Sequence, residues 1–446
     1  MFPNPQDALP LPPRPSLEQY RKLAKDLVKA CRSAAPDAIG AWADRWVTSL
    51  ARATGRIGGP RARREMDRTA GNVEDFATRK LKAGPADCVL ADAQFVIARS
   101  HGFANWPRFV EHLDRLANSG DEVAGFEAAA DAIVAGDEAT LRRLLTAHPD
   151  LIRSRSTREH RATLLHYVSA NGVENYRQVT PADIVAIARM LLDAGADVDA
   201  EADVYGGGST TLGLVATSAH PRIAGVQIPL LQLLLERGAR MERPGVAGGD
   251  HGIVLACLGN GCPEAAEYLA GRGAALGLAA AAGVGRLDVV KTFFDAGGRP
   301  REGVTADVVN AGFRHACSYG RDDIVEYLVE RGVDLAAHSG DGQTGLHCAG
   351  MSARLDTVRI LLEHGAPLEA RNSYGGTVLG QTLWSAAHGG DPMLFAPVVE
   401  ALIAAGAKLY PAPPVNAEID AILTRHGCPP DPTMWWYGEE PRRPKA

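Results

Sequence analysis

Histidine, cysteine and acidic residues are the side chains of this chain that could carry catalysis or hold a metal ion. Its 13 histidines and seven cysteines include no CxxC pair and no His or Cys spacing typical of metal ligands. The motifs HExxH, GxSxG and GxxxxGK are absent, and the acidic residues fall on predicted solvent-exposed helix faces. We therefore expect no catalytic residue, no metal site and no cofactor, and a protein that is not an enzyme.

Two glycine-rich segments have the composition of phosphate-binding loops. Residues 340–345 match GxGxxG, but no strand-forming run precedes them, so a hairpin turn is the better interpretation. Residues 206–208, three consecutive glycines, are likewise interpreted as the tip of a hairpin.

An arginine cluster is the best case for nucleic acid binding, because guanidinium groups neutralise phosphates. It lies in a Gly- and Pro-containing segment that predicts a loop, and comprises Arg52, Arg56, Arg61, Arg63, Arg64 and Arg68. No base-reading motif accompanies it. Nucleic acid is therefore disfavoured against a solvated loop or a contact with the acidic part of the chain.

Charge and hydropathy set further limits on this 446-residue chain. Residues 1–120 carry 19 Lys and Arg against 13 Asp and Glu, whereas the remaining residues carry 28 against 40. No apolar run reaches the ~18 residues of a membrane span, and the N-terminus lacks the pattern of a secretory signal. We expect a cytoplasmic protein without membrane association and with all seven cysteines reduced.

The elements that would position any binding residue follow from a repeated phrase. An apolar run, a Gly and a small residue recur along the chain, as in Met190–Val198, Tyr327–Leu335 and Ile360–Ala366. Each phrase is typical of an amphipathic helix that ends at a left-handed glycine. The spacings scatter around ~33 residues between the glycines of the seven copies, Gly195, Gly238, Gly273, Gly297, Gly332, Gly365 and Gly406.

A second phrase lies upstream, clearest in residues 341–349 and Thr163–His166. Together the two phrases resemble the ankyrin-repeat family over residues 121–411, with about eight repeats. The resemblance implies an all-α solenoid of helix–turn–helix repeats with short β-hairpin loops, in which His166 and His347 hydrogen-bond neighbouring turns. Irregular spacings predict a lost hairpin before residues 279–283 and insertions at 173–182, 221–229 and within 380–383.

The residues before the repeats predict a small helical domain. Ser16 is a good N-cap for a first helix, and further helices are expected over 38–53 and 92–100, then over a short segment that begins near Pro107. Segments 17–31 and 90–113 resemble the helical module that precedes ankyrin repeats in many bacterial proteins, which implies a bacterial source. The expected domains are a flexible Pro-rich N-terminus (1–15), the helical module (16–118), the repeats (121–411) and a C-terminal capping helix with a tail (412–446).

Together these features predict a non-enzymatic scaffold that binds a protein partner through the ankyrin groove and hairpin tips. The acidic repeats favour a partner with a basic surface. Alternatively, the N-terminal module binds nucleic acid or carries an activity while the repeats act as a targeting arm, or it only caps the first repeat. The 435–437 tail covers the last repeat or docks on a partner. The predicted contact residues are Tyr205, Ser209, Asp250, His251, Asp341, Gln343, Arg371, Asn372 and Tyr374.

Overall fold

A computed structural model of the chain describes residues 3–33, 35, 37–55, 59–81, 88–242, 252–389, 391–434 and 436. Helices account for most of these residues, and one two-stranded hairpin lies among them. The chain forms two compact units. The first unit comprises residues up to 241 together with 260–265, and the second comprises 242–259 and the residues from 266 onward. The division between these two units falls within the predicted repeats.

Five helices form the N-terminal part of the first unit. They are α1 (Leu17–Arg32), α2 (Ala38–Ala53), α3 (Gly59–Lys80), α4 (Leu90–Ser100) and α5 (Trp106–Leu116). Their apolar faces bury a shared core that includes Leu27, Trp42, Val96 and Phe109. The helices predicted from Ser16 and over 38–53 are confirmed. The sequence pattern does not predict α3, because its first turns are rich in Gly, Pro and Arg and lack apolar spacing.

The Pro-rich segment before α1 is held against the end of α4. Residues Pro5–Asp7 form a 3₁₀ turn. Leu9 is buried and donates its N–H to the Ser100 carbonyl at 2.7 Å, and its own carbonyl lies 3.0 Å from His101 Nδ1. The segment expected to be flexible is therefore anchored at Leu9.

Helix pairs and short turns complete the first unit. The helices are α6 (Glu122–Ala135), α7 (Glu138–Ala147), α8 (Ile184–Asp193), α9 (Thr211–Ala216), α10 (Ala219–Ile223) and α11 (Gln227–Glu236). Further 3₁₀ turns cover Pro149–Arg153, Leu164–Ser169 and Asn175–Arg177. Strands β1 (Glu201–Ala202) and β2 (Ser209–Thr210) pair antiparallel, with Glu201 opposite Thr210. The predicted insertion at 173–182 lies before α8, and the one at 221–229 lies where α10 is followed by α11.

The second unit is a stack of helix pairs. Its helices are α12 (Ile253–Gly259), most of α13 (Pro263–Gly271), α14 (Leu278–Gly283), α15 (Leu287–Thr292), α16 (Ala306–Tyr319), α17 (Asp322–Val329), α18 (Gly345–Met351), α19 (Leu355–Glu363), α20 (Val378–Ala387), α21 (Pro392–Ala404) and α22 (Ala417–Arg425). Helices α14, α16, α18 and α20 contact one another in order and form an inner row. Helices α15, α17, α19 and α21 form the outer row in the same way, and α22 packs on α21. One continuous core runs between the rows.

The insertion predicted within residues 380–383 is wrong. These residues lie inside α20, and the long helices α20 and α21 account for the wide glycine spacing at this point. The spacing alone could not separate an inserted loop from longer helices.

Small residues let neighbouring helices of the inner row approach closely. A Cβ atom on Gly312 of α16 would lie 1.9 Å from Leu278 Cδ2, and one on Gly345 of α18 would lie 2.6 Å from Phe313 Cε1. Both distances are far shorter than van der Waals contact, so these positions need glycine if the helices are to stay in place.

One pair of cysteines differs from the expectation that all are reduced. Cys31 at the end of α1 and Cys88 before α4 form a disulfide with a Cα–Cα separation of 6.3 Å. The prediction of reduced cysteines is therefore wrong for this pair, because the fold brings together two residues that are 57 positions apart. The remaining five form no disulfide within the described part of the chain, and four of them are buried.

The C-terminal helix is confirmed as α22. After it, Trp436 packs half-buried against the core of the second unit, with its ring centroid 6.0 Å from that of His388. Trp435 and Tyr437 lie outside the described residues. Trp436 thus covers apolar surface of its own chain. Among the helices described, none is both long and apolar enough to cross a bilayer.

Candidate interaction surface

Threonine and histidine shape the turn that starts an inner helix. At α18, His347 Nδ1 accepts the backbone N–H of Thr344 at 3.3 Å, so Nε2 carries the proton and donates to the Gly376 carbonyl at 3.4 Å. His166 repeats this geometry, accepting from Thr163 N at 3.1 Å and donating to the Ser209 carbonyl at 3.2 Å. Burial lowers the pKa of both imidazoles, that of His166 to about 4, and keeps them neutral. The predicted structural role of these histidines is confirmed.

Consecutive turns also contact each other through their backbones. Ser373 N donates to the Asp341 carbonyl at 2.9 Å, and a Cβ on Gly342 would lie 2.8 Å from Ser373 N. Gly342 also has φ +79°, a left-handed conformation that favours glycine. Gly342 therefore serves a turn, whereas Gly345 belongs to α18 and serves its packing against Phe313. The predicted hairpin interpretation fits, and nothing in this geometry requires a phosphate.

Asn372 lies inside its turn. It is 5% exposed, and its Oδ1 accepts the N–H groups of Tyr374 at 3.1 Å and Gly376 at 2.9 Å. Its Nδ2 donates to Gln381 Oε1 at 2.9 Å. With both ends of the amide engaged, Asn372 shapes the turn and does not present a side chain to a partner, which departs from the predicted contact role.

The neighbouring side chains point outward. Tyr374 is 62% exposed, and Arg371 is exposed with its Nη1 donating to the Gly375 carbonyl at 2.6 Å. The Arg371 guanidinium lies 5.3 Å from the ring centroid of Tyr410, which is also exposed. Asp341 is exposed and Gln343 half-buried on the preceding turn. We call Asp341, Gln343, Arg371, Tyr374 and Tyr410 the tip surface.

Tyr410 is the member of the tip surface that was not predicted. It follows the last copy of the helix-ending phrase, Gly406-Ala407, at a distance where the next turn should begin. This position after the helix-ending phrase is the sequence feature that indicates a further turn at Tyr410. The sequence pattern does not predict the turn because no Thr-Leu-His phrase follows Tyr410.

The first unit presents a similar tip at the β1–β2 hairpin. Tyr205 is 61% exposed and its hydroxyl donates to Asn171 Oδ1 at 2.6 Å. Ser209 is half-buried, and its hydroxyl donates to the Val204 carbonyl at 3.0 Å. Asp203 N donates to the His160 carbonyl at 2.7 Å, the counterpart of the Ser373–Asp341 bond. Asp250 and His251, the other predicted contacts, lie outside the described residues.

Among the described residues, histidine, cysteine and acidic side chains could hold a metal ion, and cysteine thiols could act as nucleophiles. Within the described part of the chain, no group of three His, Cys, Asp or Glu residues could hold a metal ion. Burial raises the pKa of the Cys348 thiol to about 11 and that of Cys317 well above its usual value. Both thiols are thus protonated and unreactive at neutral pH.

The arginine cluster does not form the predicted loop over most of its length. Arg63, Arg64 and Arg68 lie on α3, and Arg52 is in the last turn of α2. Arg56 and the side chain of Arg61 lie outside the described residues. The expectation of a loop is therefore wrong for 59–68, although a helix can still present arginines to solvent.

The first unit buries a charged network that the sequence pattern did not reveal. Arg158, 1% exposed, places Nη1 2.5 Å from Glu127 Oε1 and 3.0 Å from Glu174 Oε1. Arg177 Nη2 lies 2.9 Å from Glu127 Oε2. Burial by itself raises the pKa of Glu127, but the two guanidinium groups outweigh it and lower the pKa to about 2. All four groups are therefore charged inside the protein.

Comparison with known families agrees with the geometry of the second unit. Residues 276–372 and 313–409 match the family model of ankyrin repeats, in three copies. The matched span covers α14 to α21, the two rows of helices and the turns that carry most of the tip surface.

Proposed function

From the ankyrin repeats of the second unit, a class of repeat that generally mediates protein–protein interaction, we propose that this protein is a non-enzymatic scaffold. A protein partner binds the tip surface. The observation that carries the proposal is the exposed Arg371, whose guanidinium lies 5.3 Å from the ring centroid of the exposed Tyr410, since Tyr and Arg are enriched among residues that dominate interface energies. Ankyrin stacks present such turns along one edge, where a partner can reach several at once.

The partner is expected to offer a basic surface with room for aromatic side chains. Asp341 adds an exposed carboxylate on the turn that precedes the one with Tyr374, and residues beyond 120 carry 40 acidic against 28 basic residues. Charge complementarity of this kind speeds association and weakens with salt.

The N-terminal helices serve as a cap for the first repeat. Glu159 N donates to the Gly102 carbonyl at 2.9 Å, and Arg99 forms an ion pair with Glu159. The Arg158 guanidinium lies 5.6 Å from the ring centroid of Phe103. These contacts support a cap because a terminal repeat cannot bury its apolar face alone. They do not support the alternative in which the N-terminal module carries an activity and the repeats act as its targeting arm.

The proposal is tested by affinity capture with the full chain and two variants. Arg371→Ala combined with Tyr374→Ala should lose the specific partner. Arg359→Ala, an exposed arginine on outer helix α19 paired with Asp356 at 3.3 Å, is the matched control and should retain it. Equal capture by all three proteins would contradict the proposal.

The alternative function in nucleic acid binding is tested with the same preparation. Single- and double-stranded oligonucleotides are titrated at low salt, where phosphate contacts are strongest. We expect no saturable binding. Binding that is lost in Arg63→Gln/Arg68→Gln would establish the alternative instead.

A further inference from the structure

Two hollows in the first unit lie on either side of Thr157. Their volumes are about 340 Å³ and 330 Å³, and both are bounded by Arg115, Thr157 and Arg161. The walls come from α5, α6 and the loop that follows Arg153. The charged groups that line them are six arginines and four glutamates: Arg108, Arg115, Arg153, Arg155, Arg158 and Arg161, with Glu111, Glu122, Glu127 and Glu159.

Three of these arginines already have acidic partners. Arg108 Nη1 lies 2.9 Å from Glu111, Arg115 Nε lies 3.0 Å from Asp121, and Arg158 belongs to the buried network. The other three form no ion pair with a carboxylate of the described residues. Arg155 donates to the carbonyls of Arg161 and Glu201, and Arg161 donates to that of Ser156. Arg161 therefore keeps an uncompensated positive charge in both hollows, and Arg153 and Arg155 do so in the 340 Å³ hollow.

Two residues that line the second hollow each have a buried nitrogen atom without a hydrogen-bond partner. His112 is 1% exposed, and its Nδ1 lies 2.7 Å from the Thr157 hydroxyl, whereas Nε2 has none. Arg158 is equally buried, and its Nε–H is also unpartnered. Both residues line the 330 Å³ hollow. Buried polar atoms without partners are rare in proteins and call for an explanation such as a bound ion or ligand.

We propose that this hollow, through Arg108, His112, Thr157, Arg158 and Arg161, binds the phosphate group of a phosphomonoester. Glu111 and Glu159 also line the hollow, and each is paired with an arginine, Arg108 and Arg99 respectively. Guanidinium groups suit phosphate because they are always charged and donate in a planar fork. A tetrahedral dianion has oxygens for several donors that approach from different sides, which a single carboxylate does not offer. The hollow is close to the lower end of the ~300–1,000 Å³ range of small-molecule sites, so it fits a phosphate with a short attached group.

The tip surface of the second unit is not part of this site. The phosphate proposal and the partner proposal can therefore fail independently of each other. The test is isothermal titration of the full chain at low salt with inorganic phosphate, phosphoserine and a phosphoserine peptide. We expect saturable binding of phosphoserine that weakens about tenfold in Arg161→Gln and in Arg108→Gln. Tighter binding of the peptide than of phosphoserine would assign the phosphate to a protein chain, and equal binding would assign it to a small molecule.

The chain offers a matched control. Arg108 pairs with Glu111 three residues on and Arg359 pairs with Asp356 three residues back, with side chains 68% and 59% exposed. Arg359→Gln should bind phosphoserine like the unmodified protein. As a second readout, phosphoserine should shift the ¹⁵N resonances of the His112 ring. Absence of saturable binding by the unmodified protein, or equal weakening in Arg359→Gln, would overturn the proposal.

Discussion

Replacing Gly312 by alanine tests the close packing of the inner row. The new Cβ would lie 1.9 Å from Leu278 Cδ2, and Leu278 is 0% exposed, so it can move only by displacing the core residues around it. Overpacking of a buried site costs about 1–3 kcal/mol. The higher helix propensity of alanine returns about 1 kcal/mol. Because the clash is severe, we expect Gly312→Ala to lower the free energy of unfolding by about 2 kcal/mol.

Gly271→Ala is the control for this substitution. Gly271 is the last residue of α13, its backbone φ is not left-handed, and nothing lies within 4 Å of the added Cβ. The same chemical change should therefore leave stability unchanged or raise it by up to about 1 kcal/mol. Urea unfolding followed by far-ultraviolet circular dichroism measures both variants. A Gly312→Ala protein as stable as the unmodified chain would refute the packing of α14 against α16.

Three further predictions concern the first unit. Glu174→Gln, which removes a carboxylate 3.0 Å from Arg158 and 3.2 Å from Arg177, should cost about 3 kcal/mol in urea unfolding because it leaves buried positive charge; no change would show that the network is not formed. Burial lowers the pKa of His101 to about 3 and of His112 and His166 to about 4, so the unfolded chain takes up protons that the folded chain does not. Stability should therefore be complete above about pH 6.5 and fall toward pH 4, by up to about 1.4 kcal/mol per pH unit for each histidine, and a flat urea-midpoint profile would be inconsistent with these pKa values. Cys31→Ser should lower stability by about 2–4 kcal/mol in non-reducing buffer and have no effect in reducing buffer, whereas an effect in both would argue against the disulfide.

Much of the helical order could be predicted because it depends on local residues. The glycine-ended phrases, the Thr–His turns at 163–166 and 344–347, and the helices 38–53 and 417–425 each carry their signal within a few residues. The structure of the repeats with irregular glycine spacing is harder to predict from local residues. The wide glycine spacing around 380–383 is compatible either with an inserted loop or with longer helices. Only the structure of α20 and α21 shows that the helices are longer.

The remaining features depend on residues far apart in sequence. Cys31 and Cys88 meet only because α1 packs on α4. The arginines at 158 and 177 look like surface residues until the fold surrounds them with Glu127 and Glu174. Asn372 was predicted as a contact because it lies on a turn, but its amide is needed inside that turn. Sequence position thus predicts where the turns lie, while side-chain direction follows from tertiary contacts.

The central claim is that a protein partner binds the turns of the ankyrin repeats at the tip surface. Its most direct test is the dissociation constant of the captured partner for the unmodified chain, for Arg371→Ala/Tyr374→Ala and for Arg359→Ala. We expect the tip variant to bind at least about tenfold more weakly, since hot-spot residues contribute ~2 kcal/mol or more each, and the control to bind unchanged. Equal dissociation constants for all three proteins would contradict the account.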